Sequence, residues 1–120
     1  TGGDMGKASL AYGRGKIINA AALYNTLALD GVWLDFRDPD GCREETLYVK
    51  TMGFKGRFAI HPDQIKPIHD AYRPTAEELE WAKGVLEEAK TAGSGAFKYQ
   101  GKMVDAPVLA VARLIISRED

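Results

Sequence analysis

The chain is short of several things at once. Among its 120 residues there is one cysteine, Cys42. One thiol cannot close an internal disulfide, which fits a reducing compartment and leads us to expect a cytoplasmic protein. An excess of charge of one sign is also missing: 16 basic and 17 acidic residues leave a formal net charge of −1. No polyanionic partner is implied, and Lys and Arg are scattered without the basic stripe or aromatic-basic interleaving of nucleic-acid modules. No apolar run approaches the roughly 18 residues that a membrane helix needs. No signal-peptide pattern opens the chain. The opening Thr1-Gly2-Gly3-Asp4-Met5-Gly6 lacks an initiator methionine, and we expect it to be the front of a piece from a longer protein. Only two histidines are present, His61 and His69. They lie off any useful helical spacing and have no ligand cluster around them, so no metal site is expected within the chain.

What is present reads as an α/β alternation. Residues 1–12 are rich in glycine and read as a loop. From Arg14 the pattern becomes helical, with Ile17, Ile18, Ala21 and Tyr24 on one face. Residues 27–34 are apolar apart from Asp30-Gly31 and suit a buried strand interrupted near its end. Asp38 can cap a helix with Pro39 in its first position, where a missing N–H costs nothing. That helix carries Thr46, Leu47, Val49 and Met52 and stops at Gly53. Residues 57–60 read as a short buried strand between a glycine and Pro62. A helix over 65–72 follows, tolerating Pro67 only in its first turn.

Thr75 and Glu78 form a capping box for a helix bearing Leu79, Ala82, Val85, Leu86 and Ala89. Residues 96–99 and 102–104 look like a hairpin around Gln100-Gly101. Asp105 opens the last helix, striped with Val108, Leu109, Ala112, Ile115 and Ile116. Short connections between alternating helices and strands argue for parallel strands. Two such strands cannot cover their own faces and edges. Alone, the chain is expected to associate or aggregate.

Residues just past the carboxyl end of a parallel strand face the ligand. That places His61 and Pro62 in a candidate binding position; a histidine there can also simply fix a turn. Asp30-Gly31 has two open readings. One is a bulge with Asp30 satisfied by backbone N–H groups. The other is a pocket in which Gly31 admits a ligand and Asp30 orients it. Asp105 reads as a helix N-cap. Asp35 and Asp38 read as turn and cap residues, Cys42 as a packing residue, and Trp33 and Trp81 as core or subunit-contact residues. Arg14, Lys55 and Arg57 read as solvated charges, with contact to phosphates as the other reading.

Three segments carry a family resemblance: DGVWLDFRDPDG (30–41), MGFKGRFAIHPDQI (52–65) and GKMVDAPVLAVA (101–112). Together they resemble the C-terminal portion of the HpcH/HpaI aldolase and citrate lyase beta-subunit-like proteins, from about Tyr12 onward. The form of the first segment is similar to the malyl-CoA and citramalyl-CoA lyase branch. The resemblance implies the C-terminal part of a TIM (β/α)8 barrel, with our strands as its seventh and eighth, over residues 1–73. Residues 74–120 would be a small helical extension with a short hairpin, reaching a neighbouring subunit.

The resemblance further implies a Mg²⁺-dependent carbon-carbon lyase of 3-hydroxyacyl-CoA thioesters, giving an acyl-CoA and a small oxoacid, in a homo-oligomer (trimer or hexamer). The metal carboxylates and the arginine that grips the oxoacid would lie upstream of Thr1, and Asp4, near the family's loop after strand six, is matched to no ligand. By the same resemblance Asp105 would serve acid-base chemistry in a neighbour's active site, and Asp30, Gly31, His61 and Pro62 would border coenzyme A. Two rival expectations stand beside this one. One is a citrate lyase beta subunit, acting on a citryl thioester carried by an acyl carrier protein. The other is an inactive fragment competent only for packing and assembly.

Overall fold

The computed structural model describes residues 3–119, with side chains described from residue 7 to 119. The side chain of Asp4 therefore lies outside the described residues, as do Thr1 and Gly2. Five helices and four short strands follow in the order α1 (Gly3–Leu23), β1 (Leu29–Asp30), α2 (Pro39–Met52), β2 (Gly56–Arg57), α3 (Ile65–Tyr72), α4 (Ala76–Ala92), β3 (Phe97–Tyr99), β4 (Lys102–Val104) and α5 (Ala106–Ile116). A single 3₁₀ turn, Pro62–Gln64, leads into α3. The chain divides into two compact units, Thr1–Tyr72 and Arg73–Asp120.

In the first unit β1 and β2 pair in parallel, Leu29 with Gly56 and Asp30 with Arg57. The ladder continues past both strands, with Lys55 N–H donating to Ala28 O and Phe58 N–H to Asp30 O. Side chains alternate across a strand. Ala28 and Asp30 are buried, and Leu27 and Leu29 are exposed. Ala28 joins a small core with Ala21, Val49 and Phe54, against which Ile18, Tyr48 and Met52 pack. Two polar ties hold α3 to this core: Tyr72 Oη donates to Phe54 O (2.9 Å) and Lys50 Nζ to Ala71 O (3.3 Å).

Several expectations need correction here. Residues 3–12 are helical, not a loop, because α1 starts at Gly3. Glycines lower helix propensity without forbidding the helix. The buried face of α1 is Arg14, Ile18 and Ala21, while Ile17 and Tyr24 are 51% and 77% exposed. An arginine occupies the first position of the buried stripe, so the apolar pattern of α1 is rotated away from its buried face. Both strands are shorter than expected. Leu27, Val32, Leu34, Phe58 and Ile60 are all exposed, so the runs 27–34 and 57–60 are not buried strands. Leu29 alternates with buried Ala28 and Asp30, while Val32, Leu34 and Ile60 lie beyond the paired residues.

The second unit matches its sequence pattern closely. Thr75 Oγ1 accepts from Glu78 N–H while Glu78 Oε2 accepts from Thr75 N–H, closing the capping box on α4. β3 and β4 pair antiparallel, Phe97 with Val104 and Tyr99 with Lys102. The two turn residues have positive φ, 49° at Gln100 and 78° at Gly101. Such a pair suits the right-handed twist of a two-residue hairpin, and glycine takes this conformation without steric cost. Ala82, Val85, Val104 and Ala112 form the buried core, flanked by Trp81, Phe97, Tyr99 and Leu109 among others. Gly84 is needed for close approach: a Cβ there would run into the Tyr99 hydroxyl.

Candidate functional site

Parallel pairing sends both β1 and β2 out of the ladder in the same direction. The chain leaves them through loops 31–38 and 58–61. Asp30, the last residue of β1, turns its carboxylate into the helix layer. There it meets Arg14 of α1, with Nε to Oδ1 at 3.2 Å and Nη2 to Oδ2 at 3.0 Å. Arg57 of β2 reaches the same Oδ2 through Nη2 at 2.9 Å. Glu45 of α2 completes the group, with Oε1 3.3 Å from Arg14 Nη2 and Oε2 2.9 Å from Arg57 Nη2. Two positive and two negative side chains thus cancel in a nearly dry interior. Burial alone would lower the pKa of Arg14; hydrogen bonds and charge from Asp30 and Glu45 outweigh it and raise the pKa.

Arg57 also controls backbone. Its Nε donates to Gly31 O at 3.0 Å and its Nη1 to Thr46 Oγ1 at 3.3 Å. Thr46 in turn donates to Cys42 O at 2.6 Å. Asp30 is therefore satisfied by guanidinium groups rather than by backbone N–H groups. Through Arg57 it fixes the carbonyl of Gly31. Gly31 is exposed, and nothing stands within 4 Å of where a Cβ would be. Arg14 and Arg57 are 5% and 9% exposed, so neither is a solvated charge, which corrects that expectation for both.

The second loop carries His61, which caps the 3₁₀ turn. Its Nδ1 accepts from Asp63 N–H at 3.2 Å. With Nδ1 engaged by the turn, Nε2 is the ring nitrogen left to donate. The imidazole stacks on Phe36 of the first loop, centroids 4.5 Å apart and planes 18° apart. Pro62 opens the turn and is exposed. Gln64, 1% exposed, bridges both loops: Nε2 donates to Trp33 O at 2.6 Å, and Oε1 accepts from Ile60 N–H at 2.9 Å. The structure thus gathers Gly31, Phe36, His61 and Pro62 on two adjoining loops, with Asp30 beneath them.

Other residues take plainer places. Asp38 Oδ1 caps α2 through Gly41 N–H at 2.9 Å, and Asp35 Oδ1 accepts from Arg37 N–H at 3.1 Å. Cys42 is fully buried, and burial pushes its thiol pKa up; Arg57 and Thr46 pull it down, Glu45 and Asp38 push it further up, and the net shift is upward. It is a packing residue with an unreactive thiol at neutral pH. His69 is exposed on α3. Asp105, in the second unit, caps α5 through Oδ1 and Val108 N–H at 3.2 Å and is exposed.

Among the described residues no group of three or more His, Cys, Asp or Glu side chains comes together as a metal site. The carboxylates of buried Asp30 and half-buried Glu45 do not fit Mg²⁺ either. Each already faces two guanidinium groups, and a cation that keeps several waters has no open oxygen shell there. Among the described residues no helix is long and apolar enough to cross a membrane.

Sequence reasoning missed the buried roles of Arg14 and Arg57, and it missed Glu45 and Gln64 entirely. One signal was available: Arg14, Ile18 and Ala21 share helical spacing, so the core face of α1 begins with an arginine.

Parallel strands, helices packed on one side and a loop-built rim at the strands' carboxyl ends define an α/β protein of the kind that places its chemistry on βα loops. Residues 15–119 match the model of the C-C bond lyase family of the TIM-barrel fold, and the chain belongs to that family. It is 37% identical to the mitochondrial citramalyl-CoA lyase of Rattus norvegicus, over 90% of this chain and 33% of that protein. It is 38% identical to the citrate lyase subunit beta of Escherichia coli strain K12, over 92% of this chain and 38% of that one. It is similar to the crystal structure of CitE from Mycobacterium tuberculosis in complex with magnesium, acetoacetate and coenzyme A. That match has a TM-score of 0.75 and 42% identity, over 88% of this chain and 39% of CitE. The chain spans about a third of the length of the curated relatives it matches.

Proposed function

We propose that the complete protein is a Mg²⁺-dependent carbon-carbon lyase that cleaves a 3-hydroxyacyl-CoA thioester of the malyl-CoA, methylmalyl-CoA or citramalyl-CoA type into an acyl-CoA and an oxoacid. The observation that carries this reading is the rim built by loops 31–38 and 58–61 in a chain of this family. It offers an open approach over Gly31 beside the stacked rings of His61 and Phe36. In this reading β1 and β2 are the seventh and eighth strands of a TIM barrel, and their exposed apolar side chains face the strands that complete it. Mg²⁺ would be held by residues outside this chain; the CitE relative crystallised with magnesium, acetoacetate and coenzyme A supports a metal and a CoA ligand for the complete protein. In this reading the complete protein is a cytoplasmic homo-oligomer.

Cleavage breaks the bond between C2 and C3 of the thioester. The hydroxyl proton departs, the oxoacid carbonyl forms, and the bond pair stays on the thioester as an enolate that takes a proton at carbon. Asp105, offered to a neighbouring subunit, is the proposed proton carrier. Its carboxylate caps α5 through Val108 N–H, so serving a neighbour's site requires that bond to be exchanged on subunit contact. His61 and Pro62 would wall the mouth for coenzyme A, and Asp30 would act indirectly, through Arg57 and Gly31.

Cleavage of malyl-CoA and citramalyl-CoA by the complete protein with Mg²⁺ tests the reading, followed as release of oxoacid. The isolated 120-residue chain should be inactive; turnover by it would place the metal carboxylates inside this chain and overturn the assignment. The likeness to the E. coli citrate lyase subunit beta favours a second reading, a citryl thioester on an acyl carrier protein. Activity only with the carrier-bound thioester would select it.

A further inference from the structure

Loops 31–38 and 58–61 share no strand pairing beyond Phe58, yet two contacts join them. One is the stack of His61 on Phe36. The other is Gln64, which lies 4 residues from Ile60 and 31 from Trp33 and bonds the backbone of both. The partners dictate the chemistry of that side chain. Trp33 O can only accept and Ile60 N–H can only donate, so the bridge needs one donor and one acceptor on a single planar group. A carboxamide has both; an ionised carboxylate has only acceptors, and a thioether has no useful donor.

Resting on the CoA-thioester reading above, we propose that Gln64 is a positioning residue for substrate binding: its carboxamide locks the two post-strand loops in one register and thereby sets where the His61 imidazole and the Phe36 ring stand. Trp33 lies three residues before Phe36 and Ile60 directly before His61. A slip at either bond therefore passes straight into the stacked pair. Gln64 does not touch the ligand. It fixes the separation of the two rings and the direction of His61 Nε2–H.

The test uses Gln64→Glu and Gln64→Met in the complete protein, with coenzyme A as the probe and its Kd measured by calorimetry at about pH 8 and about pH 5.5. In Q64E the ionised carboxylate still accepts from Ile60 N–H but sets a second acceptor against Trp33 O. Burial and that repulsion raise the pKa of the new carboxyl group, so lowering the pH protonates it and restores a donor. Q64E is expected to bind coenzyme A about tenfold more weakly than wild type at the higher pH, the scale of one lost buried hydrogen bond, and to recover at the lower. Q64M is expected to stay weak at both. His61 and Asp63 face each other on the same turn, and Asp40 and Arg43 of α2 line a small pocket with Asp63, so each point is compared with wild type at the same pH.

Wild-type affinity for Q64E and Q64M at both pH values would overturn the inference and leave the functional reading standing. So would a Q64E that stays as weak as Q64M at low pH. A wild-type protein that does not bind coenzyme A at all would overturn both. Should Q64E lose its fold at the higher pH, Phe36→Leu replaces it, removing the ring that Gln64 positions while keeping the bridge. Unchanged affinity in F36L would then overturn the inference.

Discussion

Arg57 stands directly across the parallel pair from Asp30, with its Nη2 2.9 Å from Asp30 Oδ2. The pairing register therefore fixes a charge pair, and the pair fixes the register. The Arg57 side chain is 1% exposed and that of Asp30 7%, so water does little to screen either. Breaking a buried pair leaves an uncompensated charge and costs about 3–5 kcal/mol. Asp30→Asn should lower stability by an amount in that range, read from the denaturant midpoint of the complete protein. Arg57→Lys should be nearly as damaging, because an ammonium cannot serve Gly31 O, Thr46 Oγ1, Asp30 and Glu45 together. Wild-type stability in Asp30→Asn would show the network to be energetically neutral.

Cys42 gives a pH-dependent signature. Its thiol pKa is raised in the folded state from an ordinary value of 9.0, mainly by burial. The folded protein then holds the thiol proton at a pH where the unfolded chain releases it. Stability contributed by this group is fully present below the unfolded pKa and is lost as pH rises above 9.0. The stability advantage of wild type over Cys42→Ala should shrink between neutral pH and about pH 10. Alkylation of Cys42 by iodoacetamide should be slow in the native protein and fast in urea; rapid native labelling at neutral pH would contradict the burial.

Gly84 and Tyr99 make a steric prediction in the second unit. A Cβ at position 84 would fall inside the Tyr99 hydroxyl, so Gly84→Ala must push the ring off α4. The gain in helix propensity from Gly to Ala, about 1 kcal/mol, works the other way. Overpacking costs about 1–3 kcal/mol, and a net loss is expected, visible as a lower Tm and a changed near-ultraviolet signal from Tyr99.

Asp105 is open to a cleaner dissection than alanine alone provides. Asn is as good an N-cap as Asp, and Ala costs about 1 kcal/mol. Asp105→Asn in the complete protein should keep the melting temperature of wild type while turnover falls strongly. Asp105→Ala should lose both. If Asp105→Asn keeps full turnover, the residue is a helix cap and the proton carrier lies elsewhere.

The helices were largely legible in the sequence because their signals are local. Asp38-Pro39, the Thr75–Glu78 box and Asp105 each cap the helix they were expected to cap, and Gln100-Gly101 makes the expected turn. The strands were less legible, because the apolar runs around them do not end where pairing ends. Leu34 is as apolar as Val49, yet one is 79% exposed and the other buried. His61 was singled out from its place after a strand, a rule of topology, and Gly31 from its place near a strand's end. Arg14, Glu45, Arg57 and Gln64 escaped because each is polar and draws its role from partners far along the chain.

The four-charge cluster also governs how the first unit can come apart. Arg14, Asp30, Glu45 and Arg57 sit one each on α1, β1, α2 and β2. No one of these elements can detach without leaving a charge of one sign in excess in the interior. Fraying of one element at a time is therefore suppressed. The span from Arg14 to Arg57 should open as one unit in hydrogen exchange, with amides from all four elements sharing a single opening free energy.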